Sequence, residues 1–197
     1  MKRILTYALL ASALTVPAFA ALKTGDKAID FKARASLAGK EFDFSLGDAL
    51  KKGPAVVYFY PAAYTRGCNI EAHTFAENSE KFAAAGATII GVSRDTIEKL
   101  NMFSSDPEYC AGKFPVAADA SGAISKSFDL KSGAVREGAK DSKGNPITTE
   151  TTERTTFVIT PDHKIVATFS SNDDKISPED HVVKSLALVE QLKTAKK

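Results

Sequence analysis

The run Ala55-Val-Val-Tyr-Phe-Tyr60-Pro61-Ala-Ala-Tyr-Thr65-Arg-Gly-Cys68-Asn-Ile-Glu71-Ala-His-Thr-Phe75 decides the fold. Its first six residues are apolar without interruption and rich in β-branched and aromatic side chains, as in a strand buried on both faces. Pro61 then supplies a turn with no N–H to continue a ladder. From Cys68 onward the period changes. Cys68, Ala72, Phe75, Ser79 and Phe82 recur at helical spacing, so the sequence predicts a helix over Cys68–Ala83 with one buried stripe. A buried strand that turns directly into an amphipathic helix is the building unit of an α/β sheet.

The rest of the chain repeats that alternation. Phe31–Ala35 and Glu41–Ser45 alternate apolar and polar residues around Gly39, a hairpin signal. Ala87–Val92 reads as a second buried strand, and Phe114–Ala118 as a weaker one. Thr155–Thr160 and Lys164–Phe169 are strands joined by the turn Thr160-Pro-Asp-His163. Between them, Asp95 is placed to cap a helix running to about Phe103, and Asp119 or Ser121 to start one through Phe128. Ser177, followed by Pro178, opens a last helix with Val182, Leu186, Val189 and Leu192 on its buried stripe. Lys131–Glu153 is polar and reads as a long surface loop. The expectation is one α/β domain over 21–197, with a central sheet flanked by helices.

Composition sets bounds on function. The 197-residue chain is 44% apolar and 25% charged, values of an ordinary globular domain and not of a disordered chain or a polytopic membrane protein. Residues 1–20 have the order of a signal peptide: Met1-Lys2-Arg3, an apolar run from Ile4 to Val16, then Ala18-Phe19-Ala20. The apolar run is shorter than the roughly 20 residues of a spanning helix. Cleavage after Ala20 and a periplasmic or secreted location are expected, with no membrane attachment afterwards. The formal charge of +2 resides in Lys2 and Arg3 on that reading. The mature chain is then neutral and has no basic surplus for nucleic acid. Export places Cys68 and Cys110 in an oxidising compartment.

Cys68 lies where the strand gives way to the helix, and the unpaired N–H groups and positive dipole end of a first helical turn stabilise a thiolate. Thr65, three residues earlier, offers a hydroxyl to the sulfur. His73 points about 140° around the helix from Cys68, and His163 and His181 have no evident cysteine partner. No metal and no cofactor is expected. On position alone, half of a structural disulfide is as good a reading of Cys68 as a nucleophile.

The spacing Pro61-x-x-x-Thr65-x-x-Cys68 after a strand of this type resembles the active-site loop of the peroxiredoxins. Glu71, Phe75 and the block Arg154-Thr-Thr-Phe-Val-Ile-Thr160 are similar to their bacterioferritin-comigratory-protein (Q-type) branch. The resemblance runs from about Leu22 to the C-terminal helix. It implies a thioredoxin-like fold with a mixed sheet and an N-terminal β-hairpin extension. It also implies a thiol peroxidase in which Cys68 attacks hydrogen peroxide or a small organic hydroperoxide. Thr65 and Arg154 would then bond the sulfur and the peroxide, and Pro61 would shield the pocket. Arg66 and Arg136 are alternative cations, ranked below Arg154. Glu71 is expected to orient an arginine. His73 stands where the branch often carries its resolving cysteine, which leaves Cys110 for that role and a thioredoxin-like protein or another thiol as reductant, the enzyme being a monomer or weak dimer. The competing readings are an exported thiol–disulfide protein, for which Cys68-Asn-Ile-Glu71 lacks the second thiol, and a non-catalytic domain with a structural Cys68–Cys110 disulfide.

Overall fold

The structure, a computed structural model, describes residues 21–195; the expected signal peptide lies outside them. The predicted hairpin forms from β1 (Lys32–Leu37) and β2 (Lys40–Ser45). Leu37 pairs with Lys40, so Ala38 and Gly39 make the turn, at φ 51° and 77°. Left-handed values at both positions give the turn whose twist suits adjoining antiparallel strands. The hairpin joins the main sheet through β1, which pairs with β5. Helix α1 (Leu46–Leu50) follows, capped by Ser45.

The central strand β3 (Ala55–Phe59) continues into α2 (Arg66–Ala84). Next come β4 (Thr88–Ser93), α3 (Ile97–Ser105), β5 (Val116–Ala118) and α4 (Ala123–Ser127). The short strands β6 (Ser132–Gly133) and β7 (Thr151–Thr152) pair with each other inside the expected surface loop. The chain ends with β8 (Thr155–Ile159), β9 (Ile165–Ser170) and α5 (Pro178–Thr194). The sheet order is β2-β1-β5-β4-β3-β8-β9. β3, β4 and β5 are mutually parallel neighbours, and the remaining pairs are antiparallel. This is the mixed α/β sheet of a thioredoxin-like fold.

Strand β3 is buried at every residue, and its pleat divides the core in two. Val56 and Tyr58 join the cluster with α2, α3 and α5, whereas Ala55, Val57 and Phe59 join the cluster with α1 and Phe128. Phe75 carries α2 onto the first face, its ring 4.5 Å from Tyr58 and 5.9 Å from Phe114. Truncating such a side chain to alanine costs about 3–5 kcal/mol. Gly91, paired with Tyr58 on β4, must be glycine, since a Cβ there would stand 2.6 Å from the Tyr58 ring. Among the described residues no helix is long and apolar enough to cross a membrane.

Two boundaries differ from the sequence reading. Helix α2 begins at Arg66 with Thr65 as N-cap, so Cys68 is its third residue and not its first. Helix α3 is capped by Thr96, whose hydroxyl accepts from Lys99 N; Asp95 turns elsewhere. Residues 107–112 form turns, closed by Gly112 N donating to Ser104 O at 2.8 Å.

Candidate active site

The turn between β3 and α2 is built from Pro61 to Tyr64. Ala62 and Ala63 are fully buried, and Tyr64 takes φ 65°, a left-handed value uncommon for a bulky residue and a mark of a loop held by its surroundings. Thr65 at the N-cap makes no side-chain cap bond. Its hydroxyl lies 3.0 Å from Cys68 Sγ and 2.9 Å from Ala62 O. The first turn of α2 therefore leaves its hydroxyl and its N–H groups for an anion at the sulfur.

Arg154 arrives from the sequence immediately before β8, the strand that pairs with β3, and the pairing of Phe59 with Thr155 brings it to the same end of the sheet. Its Nη2 donates to Cys68 Sγ at 3.3 Å and its Nη1 to Glu71 Oε2. Gly67 makes room for it: a Cβ there would meet Arg154 Nη2 at 3.0 Å. The structure thus brings Thr65, Cys68, Glu71 and Arg154 together. Pro61 and Arg154 line one surface trench with Lys131, Thr152 and Ser171. Arg66 and Arg136 are exposed and have no bond to the sulfur.

Burial sets the electrostatics. Glu71 is fully buried on α2. Desolvation pushes its carboxyl up to about 7, opposed by the Arg154 guanidinium. Burial opposes the charge of Arg154 as well, but Glu71 and the Cys68 sulfur outweigh it and hold the guanidinium above its usual range. His181, near the start of α5, is fully buried, with Nδ1 2.9 Å from Thr156 Oγ1 and Nε2 2.9 Å from Ser171 Oγ. Desolvation, and after it the positive Arg154, lower its imidazole to about 4. Nothing in the sequence pattern marked His181 or Asp95 as part of this neighbourhood, because their contacts come from elements far apart in the chain.

Cys68 is 1% exposed and Cys110 is fully buried; both are free thiols. Burial, and then Asp106, push the Cys110 thiol well up. Cys110 sits beside Tyr109, whose ring lies 5.6 Å from both Tyr64 and Phe103. These rings dock the Cys110 segment on the loop that precedes Cys68. His73 is on the exposed side of α2, with Nδ1 3.0 Å from Glu108 O, away from the sulfur as its spacing predicts. Among the described residues no cluster of three or more His, Cys, Asp or Glu side chains is placed to hold a metal.

Residues 24–168 match the AhpC/TSA family. The chain belongs to that family. A Mycobacterium tuberculosis relative bearing the name peroxiredoxin is 31% identical over 173 residues, covering 88% of this chain and 99% of its own. The crystal structure of peroxidoxin BcpB from the same organism superposes with a TM-score of 0.70 at 31% identity, covering 86% of this chain and 97% of that one. A Xanthomonas campestris bacterioferritin comigratory protein, whose structures were studied for alkyl peroxide reduction, gives a TM-score of 0.62 at 27% identity over 81% and 91% of the two chains. The protein is accordingly a peroxiredoxin resembling the bacterioferritin-comigratory branch, a thiol-dependent peroxidase of the oxidoreductase class. In this peroxiredoxin the loop and the arginine meet the buried cysteine in one partly buried constellation at the end of β3.

Proposed function

We infer that the protein reduces hydrogen peroxide and small organic hydroperoxides through Cys68. The observation that carries this reading is the convergence of two donors, the Thr65 hydroxyl at 3.0 Å and Arg154 Nη2 at 3.3 Å, on one buried sulfur. The Cys68 thiolate attacks the terminal oxygen of the hydroperoxide. The O–O bond breaks, an S–O bond forms, and the departing alkoxide or hydroxide takes up the proton the thiol has shed. Negative charge moves from sulfur to the leaving oxygen, so donors fixed beforehand cost no reorganisation during the step. Arg154 suits this because its rigid fork serves Glu71 with one nitrogen and the sulfur with the other. Glu71 holds the guanidinium in place, and Pro61 closes the loop over the sulfur.

The product is a sulfenic acid, which a thiol must discharge. Cys110 takes that role: its sulfur attacks Cys68, a disulfide forms and water leaves. A disulfide requires the two Cα atoms within about 7 Å; if the reduced fold holds them further apart, unwinding of the first turn of α2 and release of the Tyr109 contact bring them together. Segments 106–112 and 61–65 are joined by turns and ring contacts rather than by a strand ladder, which favours such local opening. An external dithiol protein of thioredoxin type returns two electrons. The leader of residues 1–20 supports export, so the reductant is a periplasmic or extracellular one; the enzyme works free of membrane and as a monomer or weak dimer. The test is peroxide consumption by the purified chain with a dithiol reductant. Wild type should turn over and Cys68→Ser should not; equal rates in both would overturn the assignment. Immunoblotting of the periplasmic fraction, with N-terminal sequencing expected to begin at Ala21, tests the location.

A further inference from the structure

A threonine hydroxyl carries one hydrogen, and Thr65 has two acceptors for it, Cys68 Sγ at 3.0 Å and Ala62 O at 2.9 Å. The C=O of Ala62 and the N–H of Ala63 are the two ends of one planar peptide. The N–H end donates to Asp95 Oδ2 at 2.7 Å, and both alanines and Asp95 are buried. Asp95 is therefore connected to the reactive sulfur through one rigid plane and one hydroxyl. Its carboxylate is itself fixed: Ser93 Oγ donates to Oδ2 at 2.8 Å, and Lys99 Nζ lies 3.1 Å from Oδ1. The same ammonium lies 3.5 Å from Asp141 Oδ2. Asp141 Oδ1 accepts from Lys143 N and Asn145 N at 3.0 Å, closing a turn whose Ser142 N donates to Tyr64 O at 2.8 Å. One Asp95–Lys99–Asp141 unit thus grips the 61–65 loop at Ala63 and at Tyr64.

We propose that Asp95, held by Lys99 and Asp141, is a positioning residue for the peroxide step, fixing the Ala62–Ala63 peptide and so the resting place of the Thr65 hydroxyl hydrogen. By accepting from Ala63 N–H, the Asp95 carboxylate holds the Ala62–Ala63 plane in one orientation, and with it the angle from which the Thr65 hydroxyl faces the sulfur. While Cys68 is protonated, the hydroxyl hydrogen rests on Ala62 O and the hydroxyl oxygen is free to accept from the S–H. Once the sulfur is ionised, the hydrogen swings to it. Loss of Asp95 frees the peptide to rotate, and the hydroxyl loses its aim. This inference rests on the proposed peroxidase reading.

The test uses the reduced full chain as wild type, Asp95→Ala, Asp95→Asn and Lys99→Met. One readout is the first-turnover rate with hydrogen peroxide. The other is the pH profile of Cys68 alkylation by iodoacetamide in a Cys110→Ser background, which needs no peroxidase activity. Asp95→Ala should lose about tenfold or more in rate, as expected for one charge-assisted hydrogen bond, and its alkylation profile should move to higher pH. Asp95→Asn retains an oxygen acceptor for Ala63 N and should recover most of the rate. A folded Asp95→Ala protein with wild-type rate and profile would overturn the proposal, as would an Asp95→Asn protein as slow as the alanine variant. If Asp95→Ala does not fold, Lys99→Met decides: a slower first turnover and a shifted profile support the proposal, and wild-type values overturn it. A wild type that reduces no peroxide would defeat the peroxidase reading instead, while the alkylation profiles would still report on Asp95.

Discussion

Arg154 Nη2 stands 3.3 Å from Cys68 Sγ across 86 positions of sequence, held there by the Glu71 carboxylate on its other terminal nitrogen. The guanidinium cannot drift toward solvent without leaving Glu71 buried and unpaired. That penalty pins the cation where charge redistributes during peroxide cleavage.

Replacing Arg154 by alanine should therefore slow the first-turnover reaction with hydrogen peroxide by about 10²–10³-fold, the usual consequence of removing one preorganised donor. Lysine should rescue little of this. A single ammonium on a flexible stem cannot serve Glu71 and the sulfur together with the geometry of the fork. Stopped-flow rates of the three proteins check it; a lysine variant within a few-fold of wild type would count against the paired-fork account.

Gly67→Ala separates stability from activity. Alanine favours a helix by up to about 1 kcal/mol over glycine, yet the new Cβ would come within 3.0 Å of Arg154 Nη2. Thermal stability should be retained while the peroxide rate falls several-fold. Unchanged kinetics would show that the guanidinium has room to retreat without consequence.

The two shifted groups nearest Arg154 give opposite pH dependences. Glu71 is raised from 4.5 to about 7, so the stability it contributes is fully present below 4.5 and is lost as pH rises through 7. His181 is lowered from 6.5 to about 4, so its contribution is present above 6.5 and is lost as pH falls through 4. In wild type the slopes offset each other over the shared window. Glu71→Gln should leave stability rising with pH there, and His181→Gln should leave it falling. Urea midpoints of the three proteins from pH 4 to pH 7.5 measure this; parallel curves would contradict it.

The β3–α2 segment was legible because a continuous apolar strand, a proline and a helical stripe are local signals, and the observed β3 and α2 follow them closely. Ser177 and Pro178 likewise open α5, with a capping box to Asp180. Asp95 was misread for a physical reason. It stands beside Thr96, both are good N-caps, and only the packing of the 61–65 loop decides that Asp95 serves Ala63 while Thr96 caps α3. The 131–153 stretch reads as a polar loop because its structural members act on residues far away in sequence, Ser142 through its backbone N–H to Tyr64 O and Asp141 through its carboxylate to Lys99. Cys110 was legible as a second thiol; its burial among Tyr109, Tyr64 and Phe103 was not, since aromatic contacts between loops leave no periodic trace.

The most direct test of the central claim is to treat reduced Cys110→Ser protein with one equivalent of hydrogen peroxide and map the modified cysteine by mass spectrometry. The account predicts one added oxygen on Cys68, trapped as the sulfenic acid adduct of dimedone, with a Cys68–Cys110 disulfide in its place in wild type. An unmodified Cys68, with the peroxide unconsumed, would contradict it.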